Sequence, residues 1–209
     1  MTNVVPLAEA AAAIPQSKTI SRQAILFNIG IPSPEIANNE ALMLHLVQLV
    51  NEVYTEAEAG IYDDQFQRTH SEELKNYIKA GSLALASTSN NSSHDPPSNV
   101  IGCIRIVKLS STTGEIGMLV AAPSTRGTGL GRQLIDFSEA HCRSWGAHKM
   151  KLELLVPTLF KHELKSWVQP WYERLGYAVV GIEDFAKEYP DIARRIITPV
   201  EYRIFEKAL

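Results

Sequence analysis

Cysteine is scarce in this chain: two in 209 residues, Cys103 and Cys142, with no C-x-x-C pair. That excludes a disulfide framework and a Cys-rich zinc site. Long apolar runs are missing too, since no stretch approaches the ~18 residues that would suggest a membrane span. There is no basic excess: 20 Lys+Arg face 23 Asp+Glu, a formal net charge of −3, which argues against a nucleic-acid binder. No internal repeat is visible. The six His are scattered, and His162-Glu163 has no second His four residues after the first, so a zincin is excluded and no metal is expected. The start, MTNVVPLAEAAAAIPQ, has no basic flank, and Pro6 and Pro15 bracket its alanines. Neither a signal peptide nor an Arg-rich transit peptide is expected. These absences predict a soluble protein without membrane or nucleic-acid partners, cytoplasmic, with a nuclear place left open.

What is present is 45% hydrophobic side chains, enough for the core of one domain. We expect a flexible arm at 1–16 and a single domain over 17–209. Residues 18–28 (KTISRQAILFN) fit a strand or a helix. From Pro34 to about Ala59, Ile36, Leu42, Met43, Leu46, Leu49, Val50 and Val53 recur at helical spacing. SEEL at Ser71 offers an N-cap with acids in the first turn, and Gly81 ends that helix. SLALAS (82–87) and NVIGCIRIVKL (99–109) read as strands. The polar stretch between them, with its adjacent prolines, predicts a mobile loop at 88–98. EIGMLVAA (115–122) completes a hairpin with 99–109. A helix from Gly129 to about Trp145, a strand at 149–156, a helix at 163–175 and a strand at 177–182 follow. An insertion at 183–199 with a short helix precedes a last strand, EYRIFEK. Intermixed helices, hairpins and one strand–helix–strand crossover predict an α/β (α+β) fold with a mixed sheet.

The informative stretch is EIGMLVAAPSTRGTGLGRQLIDF. A strand ends at Ala122, a Pro-Ser-Thr turn follows, and RGTGLG opens an amphipathic helix. Glycines let successive backbone N–H groups converge without Cβ atoms blocking a ligand. A helix N-terminus adds partial positive charge, so the loop suits a phosphate or diphosphate. A Walker loop is absent. The dinucleotide fingerprint G-x-G-x-x-G is not met by Gly127-x-Gly129-x-Gly131, and the acid about 20 residues onward, Glu153, falls within a strand rather than at its end. The pattern [RQ]-x-x-G-x-[GA] is met by Arg126 to Gly131.

With that motif between a strand and a helix, and with WYERLGY (171–177) about 45 residues later, the chain resembles the GCN5-related N-acetyltransferase (GNAT) superfamily. The wider string HELKSWVQPWYERLGYAVVG is similar to a common subgroup of it. The resemblance covers 99–183 by motif and 34–98 by element order. It implies a mostly antiparallel central sheet flanked by helices, with a splayed strand pair binding acetyl-CoA. It implies an N-acetyltransferase that passes an acetyl group directly from acetyl-CoA to a primary amine of a small molecule. The alternatives are a protein lysine or N-terminal acetyltransferase, and a non-catalytic acyl-CoA-binding module. Monomer and homodimer both stay open.

The resemblance also assigns residues. Arg126, Gly127, Thr128, Gly129, Leu130, Gly131 and Arg132 would hold the cofactor's diphosphate, and Met118, Leu119 and Val120 would pair their backbones with the pantetheine arm. Tyr172 matches the general acid that protonates the departing thiolate; the other reading is a core tyrosine. An alkylammonium, with a pKa near ~10, must lose a proton before attack. Glu115, at the start of the central strand, matches the base of histone-acetylating members; the other readings are a solvent-facing glutamate and a water relay. Two departures stand out. Lys165 replaces the asparagine that in many members contacts the cofactor. Pro170 lies inside a predicted helix and implies a kink or a later start.

The total charge conceals a separation. Residues 122–151 carry five Lys/Arg and two acids, a net +3, whereas 35–73 carry nine acids and one Arg, a net −8. The acidic part predicts either a solvated helix face or attraction of a cationic acceptor. Asp63 and Asp64, beside Tyr62 and Phe66, are the pocket candidates there.

Overall fold

A computed structural model describes residues 25–88 and 99–209. The arm expected at 1–16 lies outside the described residues, as does the loop expected at 88–98 apart from Thr88. Seven strands form one sheet: β1 (Asn28–Gly30), β2 (Leu83–Ser87), β3 (Val100–Lys108), β4 (Thr113–Ala121), β5 (Lys149–Pro157), β6 (Ala178–Glu183) and β7 (Val200–Ala208). Their spatial order is β1-β2-β3-β4-β5-β7-β6. Every neighbouring pair is antiparallel except β4 and β5. The parallel pair is joined through α3 (Leu130–Ser144), the crossover helix that a parallel connection requires. The sheet is mixed, as the sequence pattern predicts, and mostly antiparallel, as the resemblance implies.

Helices cover both faces. On one, α1 (Glu40–Ala57) and α2 (Ser71–Lys79) bury Leu42, Met43, Leu46, Val50, Leu74 and Ile78 against Leu83, Leu85 and Cys103. On the other, α3 and α4 (Glu163–Arg174) bury Leu130, Leu134, Ile135, Cys142 and Tyr172 against Ile104, Ile116, Leu152 and Phe205. Strand β2, with all five residues buried, serves both cores. The helix expected from Pro34 divides at Asn39: a 3-10 turn over Pro34–Asn38 comes first, and the Asn39 side chain then caps α1 by accepting from the Leu42 N–H at 3.0 Å. In α2, Ser71 is the first helical residue rather than the cap. Helix α4 starts at Glu163 and continues past Pro170, so its start is not delayed; His162 caps it through Nδ1.

Two distortions in β4 shape the site. Arg105 pairs with Gly117 and Cys103 with Val120, so Met118 and Leu119 together oppose Ile104 as a β-bulge. Met118 takes up the extra residue at φ +45°. The bulge reverses the strand's alternation. Ile116 faces the α3–α4 core, Met118 and Val120 face the α1–α2 core, and Leu119 and Ala121 return to the α3–α4 side. The second distortion is a parting of strands. Pairing of β4 with β5 runs only from Thr113↔Lys149 to Ile116↔Leu152. Beyond it, β4 stays on β3 as far as Ala121, and β5 stays on β7 as far as Pro157. The sheet therefore opens along its middle, with the facing edges of both strands lacking each other's hydrogen bonds.

The insertion at 183–199 contains two one-turn helices, α5 (Phe185–Glu188) and α6 (Pro190–Ala193). It docks on the segment after α1: Tyr62 bridges Ile196, Asp63 N–H donates to the Arg195 carbonyl, and Ile197 N–H donates to the Ile61 carbonyl. Ile61, Leu155, Tyr202 and Ile204 form a small third core beneath it.

Candidate active site

The parted strands open into a cavity of about 640 Å³. One wall is β4 (Gly117, Met118, Leu119), the opposite wall β5 (Leu152 to Leu155). The glycine loop closes one end, α4 contributes Leu164, Lys165, Val168, Trp171 and Tyr172, and the end of α1 contributes Val53, Tyr54, Ala57 and Glu58. Strand edges without partners need hydrogen bonds from something else. An extended ligand carrying its own amides meets that need by lying between them as an added strand.

At the loop, Gly127 and Gly129 sit at φ +75° and +90°, and a Cβ on Gly127 would meet nothing within 4 Å. The left-handed backbone rather than crowding requires glycine there, and it turns the chain into the N-terminus of α3. A Cβ on Gly131 would make an ordinary contact with the Trp171 ring at 3.5 Å, so α4 packs directly against the loop. Trp171 in turn stacks with the exposed Trp167 at 5.9 Å between centroids. Arg132 is paired with Asp136 one helical turn on, at 2.8 Å. The Arg126 guanidinium forms a two-pronged pair with Glu56 of α1, and both side chains are half exposed.

Of the residues singled out in the sequence, Met118, Leu119, Arg126, Gly127, Gly129, Leu130, Gly131, Arg132 and Tyr172 line this one cavity. Val120 does not; it is wholly buried in the α1–α2 core, on the far side of the bulge. Thr128 does not either, its hydroxyl donating to the Thr125 carbonyl at 2.6 Å. Tyr172 is 9% exposed, its ring set against Trp171, Tyr177 and Phe205. Burial raises its phenol pKa, so the group holds its proton at any physiological pH.

Glu115 lies outside the lining, at the closed end of the strand pair. Lys151 stands between it and Glu153, 3.5 Å from Glu115 and 2.9 Å from Glu153. Burial, and then the nearby Glu153, raise the Glu115 pKa. Glu153 does line the cavity, but both its oxygens are engaged, one by Lys151 and the other by the Tyr189 hydroxyl at 3.0 Å.

The acids beside Tyr62 are placed differently from the sequence expectation. Asp63 accepts two 2.5 Å hydrogen bonds from Arg195 of the insertion, and this pairing holds its carboxyl down at about 2. Asp64 is exposed and does not border the cavity. The acidic residue that reaches the cavity from this region is Glu58, which sequence reasoning counted only as one of nine. Its Oε1 lies 3.8 Å from Lys165 Nζ, its Oε2 is buried without a hydrogen-bond partner, and burial raises its pKa. Lys165, where an asparagine was expected, has a buried side chain, and burial lowers its pKa. No local pattern signals this pair, because its members come from α1 and α4.

Among the described residues no helix is long and apolar enough to cross a membrane, and no group of three or more His, Cys, Asp or Glu is placed to hold a metal ion.

Comparison with known proteins agrees with this geometry. The family model described as "Acetyltransferase (GNAT) family" matches residues 47–177, more than half of the chain. No curated protein matches the sequence. Among solved structures, the PaiA N-acetyltransferase of Thermoplasma acidophilum in complex with coenzyme A is similar at TM-score 0.61 and 17% identity, over 88% of this chain and 99% of that one. An aminoglycoside 6'-N-acetyltransferase complexed with coenzyme A is similar at TM-score 0.59 and 18% identity, over 87% and 96%. Ard1 of Thermoplasma volcanium is similar at TM-score 0.56 and 15% identity, over 88% and 97%. At these identities the likeness is one of fold.

Proposed function

Because the chain belongs to the GNAT family of acetyltransferases, we propose that it transfers an acetyl group from acetyl-CoA directly to the primary amine of a small molecule. The observation that carries this reading is the single cavity joining the glycine loop, the parted edges of β4 and β5, and the buried phenol of Tyr172. The loop suits a diphosphate, the strand edges suit a pantetheine arm with two amides, and the phenol suits a thiolate leaving group. In this reading Arg126 to Arg132 hold the diphosphate. The backbone of Met118 and Leu119, turned by the bulge, faces the arm, and Val120 supports that turn from the core. Tyr172 gives its proton to the sulfur as the carbon–sulfur bond breaks. Glu115 acts as a positioning residue, through Lys151, on the cavity wall at Glu153.

Direct transfer is supported by the state of the thiols. Cys142 is buried in α3 beside Met150, and burial raises its pKa to about 12, which leaves no thiolate to carry an acyl group. Cys103 is likewise buried and raised to about 12. A purely binding module would need no buried phenol in the cavity.

Two measurements test the reading together. Calorimetry is expected to show coenzyme A binding, and thiol release from acetyl-CoA is expected with at least one member of a panel of alkylamines, amino sugars, arylamines and peptides. Gly129→Glu, which places a bulky anion on a left-handed residue of the loop, is expected to abolish coenzyme A binding. Wild-type affinity in that variant removes the loop from the site. Tight binding with silence across the panel removes the catalytic reading.

A further inference from the structure

We propose that Glu58 and Lys165 form the acceptor subsite, in which an alkylammonium docks on the free Oε2 of Glu58 and passes that carboxylate its proton. This rests on the acetyltransferase reading and adds to it the class of acceptor and the base. The argument begins with the carboxylates that line the cavity. Glu153 has both oxygens occupied, by Lys151 and Tyr189. Glu58 has one oxygen near Lys165 at 3.8 Å, too long for a hydrogen bond, and the other buried with no partner. A buried, unsatisfied carboxylate oxygen is costly unless a donor arrives. The terminal torsion of a glutamate is soft, so a small rotation turns Oε2 to the cavity. An ammonium supplies the missing donor.

The four groups facing Glu58 come from three places: Tyr54 on α1, Tyr62 and Arg68 on the segment after it, and Lys165 on α4. Arg68 lies over the Tyr54 ring at 5.1 Å. Burial raises the Glu58 pKa, and the charges of Lys165 and Arg68 oppose that rise. A carboxylate whose pKa is raised accepts a proton more readily than a free one.

The step balances as follows. The ammonium gives one proton to Glu58, and its lone pair then attacks the thioester carbonyl carbon. The new carbon–nitrogen bond forms, the carbon–sulfur bond breaks, and the thiolate takes the Tyr172 proton. The second nitrogen proton, lost as the amide forms, restores Tyr172, and Glu58 releases its proton to solvent. Products are the acetamide, coenzyme A and one proton.

The test compares benzylamine, an ammonium at neutral pH, with aniline, which is uncharged there. Glu58→Gln is expected to lower kcat/KM for benzylamine by about 100-fold, the ordinary worth of a general base, and to lower the aniline rate far less. Equal loss on both amines, or no loss on benzylamine, overturns the proposal. Lys165→Gln removes a charge that lowers the Glu58 pKa, so the acidic limb of the benzylamine kcat/KM profile is expected to move to higher pH. A purely structural role would leave the limb in place. Glu115→Gln lowers activity but keeps the limb; its disappearance there moves the base to Glu115 and overturns the proposal. Calorimetric binding of acetyl-CoA is followed in every variant and is expected to persist. Its absence in the wild type defeats the acetyltransferase reading itself, whereas its presence with the wrong amine pattern defeats only this subsite.

Discussion

At the scale of single residues, Tyr172 concentrates two roles that the sequence holds in tension. It belongs to the core, against Phe205 and Tyr177, and it borders the cavity. Replacing it by phenylalanine keeps the ring and removes only the hydroxyl, which separates the roles. The expected result is a fall in kcat of about 100-fold, as for the loss of a general acid, with acetyl-CoA affinity and melting temperature little changed. Thiol release and calorimetry on the same preparation check it, and wild-type turnover would leave Tyr172 as packing alone. This residue was legible in the sequence because its neighbours Gly176 and Tyr177 complete a recognisable string. Glu58 was not, since its meaning depends on Lys165, far along the chain and on another helix. Asp63 looked like a pocket acid for the same reason in reverse: its partner, Arg195, lies 132 positions away in the insertion. Charged residues announce their type in the sequence but not their partner, and the partner decides whether the charge is free.

Among the elements, the crossover helix fits its strand with little tolerance. A Cβ on Gly114 of β4 would lie 2.5 Å from the Cys142 sulfur of α3 and 3.3 Å from the Met150 sulfur of β5. Gly114→Ala forces the Cys142 side chain or α3 itself to shift, and overpacking of this kind typically costs about 1–3 kcal/mol. Urea denaturation is expected to show that loss, and Cys142→Ala in the same chain is expected to recover part of it by making room. Full destabilisation in the double variant would mean the strain lies elsewhere. The strand–helix–strand crossover was itself readable from periodicity. The bulge at Met118 was not: EIGMLVAA looks like an uninterrupted apolar strand, and a position that faces one core or the other is equally apolar. Because both faces of β4 are buried, alternation carries no sign of where it reverses. The helix break at Asn39 was missed on similar grounds, since apolar spacing continues across it while the cap is a matter of one side chain. At Pro170 the helix loses one backbone donor and still continues to Arg174, so of the two outcomes expected there the later start is not the one taken.

Across the whole molecule, the net charge of −3 becomes informative only once folding brings its two halves together. The basic stretch that holds the glycine loop meets the acidic stretch of α1 through the Arg126–Glu56 pair. Arg126 is one of the loop's two cations, and a diphosphate bound there would compete with Glu56 for it. Glu56 also lies at the end of α1, where it adds repulsion toward an incoming anion. Glu56→Gln is therefore expected to tighten acetyl-CoA binding modestly, about threefold at low salt, because an exposed ion pair is worth only ~0.2–1 kcal/mol. Both groups are half exposed, so the gain is expected to shrink as salt rises and the Debye length falls toward ~8 Å. Calorimetric titration of acetyl-CoA into wild type and variant at two ionic strengths reads it. Weaker binding in Glu56→Gln would reverse the argument, since it would mean that Glu56 holds Arg126 in the orientation the diphosphate needs. In either case the pair couples the donor end of the cavity to α1. Glu58, which lines the same cavity, lies two residues farther on, so in the proposed reading the end of one helix borders both substrates.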